Sequence, residues 1–132
     1  MKIIRLMVAL ATLMTVPVLS LASPPQPFDA KAFDTLTASG KPVVIAVHAS
    51  WCPTCKAQKP IQTELMHSPE FKDYTMFIVD FDKDTDVLKR FHVAKQSTMI
   101  VFRGKTEVGR SVGDTQRASL EALMRKARNS SG

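Results

Sequence analysis

Five consecutive apolar residues, Val43-Val44-Ile45-Ala46-Val47, lead within three residues into Trp51-Cys52-Pro53-Thr54-Cys55. An unbroken β-branched run is the mark of a strand covered on both faces. Proline directly after Cys52 marks a helix start, because its missing N–H has no intrahelical partner there and its fixed φ is already helical. A strand covered on both faces needs helices above and below it, which restricts the chain to layered α/β architectures. The two cysteines of the chain both lie at this junction. Residues three apart share a helix face, so Cys52 and Cys55 can close a disulfide and open it again with little backbone movement. At the helix N-terminus, unpaired N–H groups and the positive end of the dipole favour thiolate over thiol, and place the Cys52 pKa below its free value of about 8.5. Cys52 is expected to be exposed and to attack; Cys55, one turn in and buried, is expected to resolve. Lys56 adds a positive charge nearby.

Two other readings of the pair stay open. As a structural staple it closes too short a loop to remove much entropy from the unfolded chain. As half of a metal site it lacks partners, since no two of His48, His67 and His92 stand at ligand spacing. Neither a metal nor a cofactor is expected.

The N-terminus differs in kind from the rest. Lys2 and Arg5 precede an uncharged run over residues 6–19, and Ser20-Leu21-Ala22 places small residues where a signal peptidase reads. Residues 1–22 are therefore expected to be a cleavable export signal, because the uncharged run is shorter than the roughly 20 residues of a membrane span and is interrupted by Pro17. Loss of Lys2 and Arg5 lowers the formal charge from +6 to +4. Arg110, Arg117, Arg125, Lys126 and Arg128 are interleaved with Glu107, Asp114 and Glu121, which reads as a solvated helix face and not as a nucleic-acid stripe.

Beyond the signal, residues 23–27 read as a Pro-rich linker, residues 28–128 as one domain and residues 129–132 as a frayed tail. Phe28, Ala32 and Leu36 recur at helical spacing up to the stop at Gly40-Lys41-Pro42. The helix begun at Cys52 is predicted to kink at Pro60. A second buried strand spans residues 76–81 and a helix residues 84–93. Residues 98–102 and 107–111 flank the hairpin turn Arg103-Gly104-Lys105-Thr106. Asp114 is expected to cap a last helix buried through Leu120, Leu123, Met124 and Ala127. Alternating elements followed by a hairpin require a mixed sheet between helices.

These motifs resemble the thioredoxin superfamily over about residues 28–127. The likeness rests on Lys41-Pro42-Val43-Val44, on Ala49-Ser50-Trp51-Cys52-Pro53-Thr54-Cys55-Lys56, and on Pro60. It continues through Val79-Asp80-Phe81-Asp82 to Val112-Gly113. With an export signal, the Trp-Cys-Pro-Thr-Cys pentad also resembles periplasmic thioredoxin-like reductases of cytochrome c maturation, whose inserted segment is missing here. The resemblance implies a thioredoxin-like fold, a central mixed sheet flanked by helices on both faces. It makes Cys52 the attacking and Cys55 the resolving cysteine, supported by Trp51, Pro53, Thr54 and Ser97, with Val112 and Gly113 bordering a substrate groove.

Two departures bear on mechanism. The family's cis-proline facing the cysteines is replaced by Ser97, and a cis peptide before a non-proline residue costs about 2.5–4 kcal/mol, so this loop is expected to be trans or strained. Ser97 also brings a hydroxyl near the sulfurs, able to bond a thiolate or to admit a metal. Ala46 occupies the position of the buried acid that assists the resolving thiol. His48, on the same strand face, is the nearby titratable candidate for that task, or else a half-exposed histidine with none.

The resulting expectation is a periplasmic or otherwise exported monomer, without a membrane span after cleavage. It reduces disulfide-bearing protein substrates and is recharged by an upstream thiol donor. A redox-inert module holding a metal or partner protein is the alternative.

Overall fold

The computed structural model describes residues 23–128 together with Pro17, so the expected signal and the tail at residues 129–132 lie outside the described residues. Five strands form one sheet: β1 (Gln26–Pro27), β2 (Pro42–His48), β3 (Thr75–Asp80), β4 (Thr98–Arg103) and β5 (Thr106–Val112). Their spatial order is β1-β3-β2-β4-β5. The first three run parallel, whereas β4 is antiparallel to both β2 and β5, which makes the sheet mixed. Four helices accompany it: α1 (Ala30–Ala38), α2 (Pro53–His67), α3 (Thr85–Arg90) and α4 (Arg117–Arg125).

Side-chain alternation along β2 divides the interior in two. Val44 and Ala46 point into a core with Leu65 and Met66 of α2, Leu120 and Met124 of α4, and Met76, Met99 and Val101 of the sheet. Val43, Ile45 and Val47 point the other way, against Phe33 of α1, Phe91 after α3, and Phe77, Ile100 and Phe102. Phe33 packs edge-on against Phe91 and Phe102, with ring centroids 5.1 and 5.3 Å away, the orientation that aromatic quadrupoles favour. Helices thus cover both faces, as an apolar central strand requires.

Local boundaries follow their capping chemistry. Asp29 caps α1, its carboxylate accepting from the Ala32 N–H at 2.6 Å, and Gly40 ends it at φ +75°, where a side chain would be strained. A two-residue hairpin joins β4 to β5, with Gly104 supplying φ +55° at its first position. Three expectations need correction. Gln26–Pro27 is a strand at the sheet edge, not linker, because β3 offers it an open parallel partner and Phe28 N–H reaches the Ile78 carbonyl at 3.0 Å. The helix expected over residues 84–93 is confined to Thr85–Arg90. Gln116, not Asp114, holds the N-cap position of α4; Asp114 instead accepts from the Gln116 N–H and the Ser119 hydroxyl across the turn before it.

Candidate active site

The C-terminal end of β2 hands the chain to α2 through Ala49, Ser50 and Trp51, and the cysteine pair sits where that turn becomes helix. Cys52 is the N-cap of α2, with Pro53 at the first helical position. Its Sγ accepts the Cys55 N–H at 3.1 Å, the bond that a capping side chain makes to the third residue of a helix. Both cysteines are free. Cys55 is buried, as its place one turn into the helix suggests, and its thiol faces the Val47 carbonyl at 3.9 Å.

Cys52 is not exposed, contrary to expectation: 1 % of its surface is accessible. The Ser97 loop and the turn at Ala49 close over it, but the closure is polar on the side that matters. Ser97 Oγ stands 3.2 Å from Cys52 Sγ and 3.3 Å from Cys55 Sγ. Burial pushes the Cys52 thiol up. Hydrogen bonds from the Cys55 side chain, the Ser97 hydroxyl and the backbone N–H groups of Cys55 and Thr54 outweigh it and hold the thiol below its ordinary value.

Ser97 occupies the loop facing the pair, where the resemblance places it. The described residues contain no cis peptide bond, and Ser97 sits at φ +60°. The loop is therefore both trans and in a backbone region that non-glycine residues seldom occupy. Its backbone is pinned on three sides: the Ser97 N–H donates to the Val47 carbonyl at 3.0 Å, and the Ser97 carbonyl accepts from Gly113 N–H at 3.0 Å and Gln58 Nε2 at 3.2 Å.

The apolar surroundings of the mouth also assemble. Trp51 is 55 % and Val112 54 % exposed, the two large apolar side chains left open among the described residues. Trp51 is held in place by its indole N–H, which donates to Asp82 Oδ2 at 2.9 Å. Val112 pairs with Thr98, next to Ser97, and Gly113 follows it at φ +70°. Thr54 contributes its backbone N–H to the thiol.

Behind Cys55 opens a cavity of about 310 Å3, lined by His48, Ala49, Ser50, Cys55, Lys56 and Lys59. Ala46 is fully buried and leaves no acid there. His48 shares the Ala46 face, and its Nε2 lies 2.9 Å from Gln62 Oε1; donation to that oxygen leaves Nδ1 as the free acceptor. Burial lowers the His48 pKa below 6.5, the Gln62 bond opposes that, and Lys59 adds to it. Among the described residues no cluster of three His, Cys, Asp or Glu side chains is placed to hold a metal ion.

Gln58, Gln62 and Lys59 were not singled out from the sequence, and Asp82 entered only as part of the Val79-Asp80-Phe81-Asp82 motif, with no role at the site. The first two carried a readable signal: with Cys55 they fall on one face of α2, where an apolar stripe would otherwise be expected, and both are buried.

The comparisons with known proteins agree with this geometry. The thioredoxin family model matches residues 25–126. A bifunctional thioredoxin reductase/thioredoxin of Mycobacterium leprae is 34 % identical over 92 residues, 70 % of this chain and 20 % of that protein. Rice thioredoxin H2-1 is 36 % identical over 91 residues, 69 % of this chain and 64 % of its own length. This chain thus spans less than two thirds of the length of these two relatives. Among solved structures, Trxlp from Edwardsiella tarda superposes with a TM-score of 0.74 at 39 % identity, covering 76 % of this chain and 97 % of that one. With the five-stranded mixed sheet, the helices on both faces and the Cys52/Cys55 pair at the start of α2, the chain belongs to the thioredoxin family.

Proposed function

We propose that this chain is an exported protein-disulfide reductase. The observation that carries the reading is Cys52 Sγ itself: a sulfur capping a helix, supplied with backbone and hydroxyl donors that favour its ionised form, one turn from the only other thiol of the chain. The Cys52 thiolate attacks one sulfur of a substrate disulfide. A Cys52–substrate bond forms, and the other substrate sulfur departs with the electron pair and takes a proton from solvent. Cys55, deprotonated, then attacks Cys52 Sγ, and the second substrate sulfur leaves. The substrate is reduced by two electrons and the pair is oxidised. Trp51 and Val112 offer apolar contact to the substrate, beside Gly113. An upstream dithiol donor restores the pair; the reductase half of the Mycobacterium leprae relative is a donor of that class. Export rests on residues 1–22, and reduction as the direction of flow rests on the likeness to thioredoxins.

The burial of Cys52 favours a second reading, a redox-inert module that holds a partner and never cycles. One experiment separates the two. Under the first, purified protein turns over in a protein-disulfide reduction assay, Cys52→Ala abolishes turnover, and Cys55→Ala accumulates mixed disulfide. Absence of turnover together with failure of iodoacetamide to label Cys52 at neutral pH establishes the second.

A further inference from the structure

Ser97 is not needed to bring two thiols together, yet it is the residue that touches both. It is 3 % exposed, and its Oγ is 3.2 Å from one sulfur and 3.3 Å from the other. A hydroxyl carries one proton on a rotor, so it can donate to one sulfur at a time. Its position is registered to the sulfurs by α2, the helix that carries them. Gln58, three residues after Cys55, donates from one amide nitrogen to the Ser97 carbonyl at 3.2 Å and to the Asp114 carbonyl at 2.8 Å. Such a clamp is what keeps a φ of +60° from relaxing. On the opposite side of Cys55, Ala46 supplies no carboxylate, and the Val47 carbonyl at 3.9 Å can accept from a thiol but cannot stabilise a thiolate.

We propose that the Ser97 hydroxyl is a catalytic donor shared by the two sulfurs in turn. It donates to the Cys52 thiolate in the reduced protein and swings to Cys55 once Cys52 is tied up in the mixed disulfide. The proposal rests on the exchange reaction above. In the resolving step the Cys55 proton leaves to solvent in the cavity behind it, and the Cys55 electron pair forms the Cys55–Cys52 bond. The Cys52–substrate bond breaks, and its pair departs on the substrate sulfur, which solvent protonates. Ser97 keeps its own proton throughout and changes only the sulfur to which it is offered. Gln58 is the positioning residue for this rotor.

The test compares wild type with Ser97→Ala, which deletes the hydroxyl, and Ser97→Gly, which deletes it and also relieves the backbone. Thiolate absorbance of the reduced protein is titrated, the reduction potential is measured against a glutathione buffer above the Cys52 pKa, and the resolving step is followed in a single turnover. A hydrogen bond to a charged group is worth about tenfold or more in such an equilibrium. Both variants should therefore raise the Cys52 pKa by about one unit and slow resolution by about tenfold. Destabilising the reduced form makes both more reducing, by about 30 mV for that tenfold change. Wild-type behaviour in Ser97→Ala, with a shift confined to Ser97→Gly, assigns the effect to loop strain and overturns the proposal. A wild type that turns over, with unchanged titration and resolution in both variants, also overturns it and leaves the exchange reaction intact. A wild type without turnover overturns the exchange and the turn-taking with it, while the titration still reads the bond to Cys52.

Discussion

A sulfur shut away from water ionises readily only if the protein replaces the water, and at Cys52 it does so with two backbone N–H groups, a hydroxyl and the neighbouring thiol. The motif and the helix start were legible from the residues alone, whereas the arrival of Ser97 opposite them was implied only by the family resemblance. The closure over Cys52 was not legible, because it depends on a loop 45 residues further along the chain. His48 shows the same division. Its strand face followed from alternation with Ala46, but its partner Gln62 came from packing of α2. Burial keeps its imidazole below 6.5 in the folded protein, so the unfolded chain binds more protons as pH falls. The His48 contribution to stability is accordingly flat above about 6.5 and declines as pH drops from there through the lower folded value. Urea midpoints measured from pH 7.5 to 5 should fall for wild type and fall less for His48→Gln.

Elements that obey one dominant rule matched their expected type: β2 by its continuous apolar run, α2 by its proline start, and β4 and β5 by the glycine turn between them. β1 was missed because two residues, one of them proline, carry no pattern; its pairing exists only because β3 has a free edge. α3 was overextended because Phe91 and Val93 are apolar for the aromatic core and not for helix periodicity. Contact between α4 and the sheet edge is close enough to be tested. A Cβ built on Gly109 of β5 would lie 2.7 Å from Leu123 Cδ1 of α4 and 3.3 Å from Lys126 Cδ. Gly109→Ala should cost about 1–3 kcal/mol by overpacking, read as a lowered denaturant midpoint with an unchanged m-value.

One sheet serves two cores in the whole molecule, and the reactive pair stands at the end of β2, the strand with parallel β3 on one side and antiparallel β4 on the other. Because every strand of that centre lends side chains to both cores, neither face can melt alone. Phe77→Ala, in a fully buried position on the aromatic side, should cost about 3–5 kcal/mol and leave a single cooperative transition when circular dichroism and hydrogen exchange are compared. The basic residues near the C-terminus are largely spoken for: Arg110 pairs with Glu107, Arg117 with Glu64, Arg125 with Glu70 and Glu121, and Arg128 with Glu70. The face is solvated, but it is not one helix face as expected: Arg117 and Arg125 lie on α4, whereas Glu107 and Arg110 lie on β5.

Trp51 is the one tryptophan of the chain, and its half-open indole adjoins Cys52 along the backbone while tethered to Asp82. Indole emission from this protein therefore originates at a single fluorophore next to the reacting sulfur. Thiolate formation, mixed-disulfide capture and oxidation each alter what lies beside that fluorophore, so one unlabelled optical channel can follow them in real time. The buried phenylalanines are dark in the same channel, and the one tyrosine, buried Tyr74, stays silent when the indole is excited selectively.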